Sequence, residues 1–343
     1  MHGQGGPPAS LPIAGAPKRT WLTVSPIKIP VIALLCAFLP ACDTPTPKAA
    51  VHAENSAGGN EPSAPVGTAR FESALDAALA YPTRIAVSDD GAVFVADTDA
   101  GRVFGYRGGR RHIQIGGLDH PTGLASRGRL LYVGVGGRHA VSVLDLVTQK
   151  PVAEIGAGTL TAPTALAVAP DDQRLYVVDS RRDVVEVFSP AGDSLGHLGE
   201  TGSGDGQFHF PAAIAVDAQR VVVADQGNHR VQIFDRAGRF VRSIGEMAPT
   251  EVNTAADFAG RFTRVQGLAL VKDTLYALDA YHGHVQAFDL ATPEPRFLGF
   301  LGRRGDCDAC FGLGLDLAAD GHGDLLVTDP EAHRWVSLKA GGQ

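Results

Sequence analysis

The chain carries no surplus of basic charge. It has 30 Lys and Arg against 37 Asp and Glu, a formal net charge of −7. A mildly acidic body excludes non-specific attachment to nucleic acid, whose phosphates demand a basic surface. The apolar run from Ile29 to Ala41 is too short to cross a bilayer comfortably as a helix. Catalytic signatures are absent as well: no Gly-rich phosphate loop precedes a helix, and no nucleophile elbow occurs. Cysteine is scarce, with four in the chain. The single C-x-x-C, Cys307-Asp308-Ala309-Cys310, has no second copy to complete a zinc site. Phe311 follows it where c-type haem attachment needs His.

What is present begins with a leader, at 1–42. It holds Lys18, Arg19 and Lys28 and no acidic residue; without it 27 basic residues face 37 acidic ones, a charge of −10. A lysine, a short apolar core and a small residue before a cut read as an export signal. Leu39-Pro40-Ala41-Cys42 resembles a bacterial lipobox, which makes Cys42 the lipidated first mature residue and the membrane anchor; the alternative is an ordinary secretory signal. Asp43 points to retention in the inner membrane, facing the periplasm. The stretch 43–68 is rich in Pro, Ala, Ser and Gly, cannot bury enough surface to fold, and forms a tether reaching roughly 25–30 Å. With Cys36 and Cys42 in the leader, Cys307 and Cys310 remain, read as a structural disulfide of an oxidising compartment, with a redox pair or a metal site as alternatives.

Beyond the tether the chain repeats itself. Pro82-Thr83-Arg84-Ile85-Ala86-Val87 leads to VFVADTDAGRVFGY, and Pro211-Ala212-Ala213-Ile214-Ala215-Val216 leads to VVVADQGNHRVQIFDRAG. Copies opening at Pro121, Pro163, Val265 and Leu313 bring the total to six. Each reads as four short β-branched strands bounded by Gly, Pro, Asp and Asn. Four strands in every roughly 40–50 residues is the arithmetic of a propeller blade, and closing the ring removes exposed sheet edges. The expected fold is all-β: a six-bladed β-propeller at 69–343 with four-stranded antiparallel blades, the last closed by an N-terminal strand at 69–79.

The run from Gly206-Gln207-Phe208 through Pro211, Ala224-Asp225 and Asn228-His229-Arg230 to Asp235-Arg236-Ala237-Gly238 resembles the NHL-repeat family. The resemblance implies the fold and constrains function less. Amidating lyases of that family place zinc-binding histidines just after the blade-opening proline. Here those positions hold Thr83, Thr122, Thr164, Ala212 and, in the degenerate copies, Gln266 and Leu313 or Gly314. Six-bladed lactonases hold calcium with inward carboxylates and Asn; Asp316 is the one carboxylate in an opening strand. RNA binding, known for eukaryotic relatives, is opposed by export and by charge.

Asp97, Asp179, Asp225, Asp279 and Asp329 end the second strand of their copies, with Val135 in the remaining one; Arg102, Arg230 and Arg334 follow five positions later. Their periodicity marks them as structural, each Asp accepting turn amides and each Arg reaching a neighbouring blade. Loops on a rigid scaffold carry function. Seven of twelve histidines fall on one loop face: His120, His139, His209, His229, His282, His284 and His333. Repetition explains His139, His229 and His333, which leaves His120, His209, His282 and His284 as weak metal candidates. No catalytic residue and no cofactor is assigned. The expected function is a lipid-anchored platform, monomeric and without nucleic acid, binding a protein, peptide or glycan through Tyr81, Arg84, His120, Arg138, His209, Tyr281 and His282. The alternative is a metal-dependent lyase, hydrolase or lactonase acting at the channel mouth.

Overall fold

The computed structural model describes residues 79–248, 255–305 and 310–339. The expected leader and tether, all but the last residue of the expected closing strand, and Cys307 lie outside the described residues. Five four-stranded antiparallel sheets and one of three strands follow in chain order. The first blade is β1 (Pro82–Val87), β2 (Val93–Asp97), β3 (Arg102–Arg107) and β4 (Arg110–Ile115). The second is β5 (Pro121–Arg127), β6 (Leu130–Val135), β7 (Ala140–Asp145) and β8 (Lys150–Ile155). The third is β9 (Pro163–Val168), β10 (Leu175–Asp179), β11 (Val184–Phe188) and β12 (Ser194–Leu198). The fourth is β13 (Pro211–Val216), β14 (Arg220–Asp225), β15 (Arg230–Asp235) and β16 (Phe240–Ile244). The fifth is β17 (Val265–Val271), β18 (Thr274–Asp279), β19 (His284–Asp289) and β20 (Arg296–Leu301). A short parallel pair, β21 (Arg303–Arg304) and β22 (Cys310–Phe311), leads to the sixth blade, β23 (Leu317–Ala319), β24 (Leu325–Asp329) and β25 (Arg334–Leu338).

Each blade is sandwiched between two others, so its middle strands are covered on both faces and read as unbroken apolar runs rather than alternating ones. β10, LYVVD, is buried at every residue, whereas the outermost β12, SLGHL, is exposed along most of its length. The core therefore lies between blades. One cluster joins Phe208, Phe234 and Val223 to Tyr176 and Val178; another joins Phe262, Phe288 and Leu268 to Ile233 and Val231.

The Pro-Thr opening has a geometric cause. In all five four-stranded blades the first strand slips register directly after its opening residue, as between Pro82 and Arg84. Such a bulge leaves one residue unpaired and re-aims it. Thr122 uses that freedom to bond the carbonyl of Pro163 in the next blade, at 2.5 Å. The sixth blade corrects one expected alignment. Leu317 pairs with Val327 as Ile85 pairs with Val95, each partner two positions before its blade's aspartate. Asp316 is thus the counterpart of Arg84, and Leu315, not Leu313 or Gly314, that of Thr83.

Ring closure is visible at the junction of the sixth and first blades. Asp316 accepts the Ile85 amide at 3.0 Å, His333 bonds the carbonyl of Ala80 at 2.6 Å, and Leu79 packs with Trp335, Leu326 and Phe104.

Candidate functional site

The strand-ending aspartates are locks. Asp97 accepts the amides of Ala80 and Tyr81, Asp179 those of Thr161 and Ala162, Asp279 those of Thr263 and Arg264, Asp225 that of His209, and Asp329 that of Gly312. Directly before each of these amides stands a buried apolar side chain: Leu79, Leu160, Phe262, Phe208 and Phe311. The carboxylate pins the opening loop so that this anchor fills the gap between blades. The sequence displays the anchors, but loop lengths differ and blur their spacing.

The arginines work differently from the expectation. Arg230 pairs with Asp225 of its own blade at 2.8 Å and donates to the carbonyls of Gly204 and Gln207 in its own opening loop. Arg334 does the same with Asp329 and Cys310; Arg102 is exposed at the start of β3. The contact between blades belongs to the preceding residue. His139, His229 and His333 all hold a left-handed backbone, and each bonds through Nδ1 to an opening-loop carbonyl of the next blade, at Thr161, Thr263 and Ala80. A carbonyl only accepts, so Nδ1 carries the proton.

Opening loops and second-to-third-strand turns share one face, where the binding candidates separate. His120, Arg138, His209 and Tyr281 are exposed there, Tyr81 and His282 half-buried. Tyr81 has its phenol pushed above the usual range by burial and by Asp99 and Glu331. His120 bonds its neighbour Asp119, and Arg138 lies 3.8 Å from Glu154. Arg84 does not reach that face. It is buried in β1, 9% exposed, bonded to the Thr122 carbonyl and 3.7 Å from Asp316, because the opening strand's alternation turns it into the channel. Burial lowers the pKa of Arg84 and raises that of Asp316, each against the pull of the other's charge. Four small residues, Gly123, Ala165, Ala213 and Gly267, occupy the same register in the other blades. The channel cavity there is about 50 Å³, lined by Arg84, Asp316 and apolar residues such as Leu124, Leu166 and Leu268. That volume has room for a few waters and is too small for a metabolite.

Two side chains on this face escape a reading of the sequence. Phe210 and Met247 are 52% and 62% exposed, beside Tyr281 at 60%. A signal exists for Phe210: an aromatic directly before a blade-opening proline, held at φ 47°, cannot turn into the strand. The four weak metal candidates also separate. His282 and His284 meet, rings stacked 5.6 Å apart, with Asp279 against His282; His120 and His209 stand in other blades. Phe258 packs on His282 at 4.1 Å and Phe300 on His284 at 4.6 Å. Burial lowers the pKa of His284 to about 4, against the pull of Asp279.

The sequence model of the NHL repeat matches residues 79–106 and 208–234, the first and fourth blades. Those two blades carry NHL repeats, and the fold is a six-bladed β-propeller. Among solved structures it resembles hydrazine synthase from Kuenenia stuttgartiensis, at 15% identity and TM-score 0.55 over 78% of this chain and 98% of that one. It also resembles a streptogramin B lyase, at 11% identity and TM-score 0.51 over 76% and 93%. U3-55K is similar at 16% identity and TM-score 0.53 over 74% and 76%. At such identities the likeness is one of fold. No curated protein sequence matches the chain. With the corrected alignment, the position expected to match the amidating-lyase histidines holds Leu315 in the sixth blade, beside Thr83, Thr122, Thr164, Ala212 and Gln266 in the others.

Proposed function

We propose that this NHL propeller is a binding platform for a protein partner, held at the cell envelope by a lipid on Cys42. The observation that carries the reading is the exposure of Phe210, Met247 and Tyr281 on the face of opening loops and turns, which also exposes His120, Arg138 and His209. Exposed aromatic and Met side chains bordered by polar groups are the composition of an interface. The channel offers less to the lyase or hydrolase reading, since its carboxylate is already committed to Arg84 and its cavity is small.

A photocrosslinking residue at Tyr281 or Phe210 should give one discrete adduct in envelope preparations, competed by excess unlabelled protein. The same residue at Leu195 or Val147, away from that face, should give none. Equal labelling from both sets of positions would remove the reading. For the anchor, Cys42→Ser should release the chain from membranes; retention there would refute lipidation. Cys307 and Cys310 are proposed to form a small-loop disulfide, so a thiol reagent should label neither before reduction, and prompt labelling would refute it.

A further inference from the structure

We propose that Asp279, His282 and His284 form a zinc-binding site in the fifth blade. The fourth and fifth blades hold one register, Asp225 opposite Arg230 and Asp279 opposite His284. In the fourth, the buried carboxylate is matched by the permanent charge of Arg230 and by the amide of Asn228. The fifth blade places an imidazole at each of those two positions, His282 for Asn228 and His284 for Arg230. A carboxylate taken out of water requires a compensating charge. Two imidazoles and a carboxylate are a ligand set that holds zinc and leaves one position open.

The geometry is close to assembled. Ligating atoms of the three side chains all lie within 4.8 Å of one another. Oδ2 of Asp279 and Nδ1 of His282 stand 3.1 Å apart; two ligands about 2.1 Å from one tetrahedral ion are separated by about 3.4 Å. The ion would take the place of the proton that now bridges them. Nε2 of His284 is buried without a hydrogen-bond partner, a costly arrangement for a group that gains nothing from it. Amides of Thr263 and Arg264 hold the carboxylate from behind, and Phe258 and Phe300 fix the two rings. Support of that kind orients metal ligands. His282 keeps 16% of its side chain exposed, which supplies an access path from the loop face.

The test uses the purified full-length chain, stripped with chelator and titrated with Co²⁺ and then Zn²⁺. One equivalent of Co²⁺ should bind with the visible absorption of a tetrahedral ion and be displaced by Zn²⁺, and Zn²⁺ should raise the melting temperature. The His282→Asn/His284→Arg variant installs the fourth blade's own residues. It should lose that equivalent and the metal-dependent rise while melting normally in chelator. His120→Ala/His209→Ala should keep both. If the first double variant does not fold, His282→Asn alone decides, with a loss of at least tenfold in affinity expected. Absence of stoichiometric binding in the parent, or an equivalent that survives removal of His282, would overturn the proposal.

Discussion

The fourth and fifth blades are two solutions to one problem. Both end their second strand on a fully buried aspartate that pins an opening loop and its phenylalanine, Phe208 in one and Phe262 in the other. In the fourth blade every neighbour of Asp225 is a donor with a fixed role: the His209 amide, Asn228, Arg230 and Gln232. In the fifth, Gln286 keeps its place but bonds the Arg261 carbonyl, and imidazoles stand at the other two positions, of which His282 bonds Asp279. The lesson is that the repeat needs a buried carboxylate and a donor cage, while the chemical identity of the cage is open to change. The fourth blade's cage is inert; the fifth blade's can titrate and can ligate.

The largest effect expected from this comparison is at the inert end. Asp225→Ala leaves the largely covered Arg230 without its counter-charge and strips the His209 amide of its acceptor. Removing one partner of a buried pair costs about 3–5 kcal/mol, visible as a lowered urea midpoint. A change below about 1 kcal/mol, the scale of an exposed ion pair, would show that the aspartates do not lock the blades.

At the fifth blade the contrast appears as a pH dependence. The folded-state pKa of His284 is depressed to about 4, below the ordinary value of about 6.5. An unfolded chain therefore takes up a proton that the folded chain refuses. The contribution is fully present above pH 6.5 and is lost as pH falls from there towards 4. In chelator, the loss should be on the order of 2–3 kcal/mol between pH 7 and 4.5. His282→Asn/His284→Arg, read against the parent over the same range, should flatten the curve by that amount. Parallel curves would mean that His284 protonates freely in the folded protein.

The propeller itself is legible in the sequence because its repeat is a packing code: strand lengths, glycine-bearing turns and the terminal aspartates recur with the blades they build. The shared left-handed turn position of His139, His229 and His333 is legible for the same reason. What the sequence hides is whatever depends on register across blades. Arg84 reads as a surface anchor because it sits close to Tyr81 in the chain, yet strand alternation sends it to Asp316, in the last blade of the ring. Asp279 is absorbed by the repeat, while His282 and His284 read as weak metal candidates on a par with His120 and His209 and with no carboxylate beside them. Their meeting becomes visible once the fourth and fifth blades are laid in one register.

The smallest effect on stability is expected where the two blades face solvent. Phe210 opens the fourth blade and Tyr281 turns the fifth, and more than half of each is exposed. Truncating either removes little buried apolar area, so Phe210→Ala and Tyr281→Ala should each shift unfolding by no more than about 0.5 kcal/mol. That near-silence is informative beside Asp225→Ala. A side chain whose removal leaves the fold untouched is held in place by something other than the fold, and the adducts formed from these two positions identify that cause. Should either substitution cost about 2 kcal/mol or more, as truncation of a packed core side chain does, the aromatic would belong to the packing of its own blade, and the docking face would lose one of its anchors.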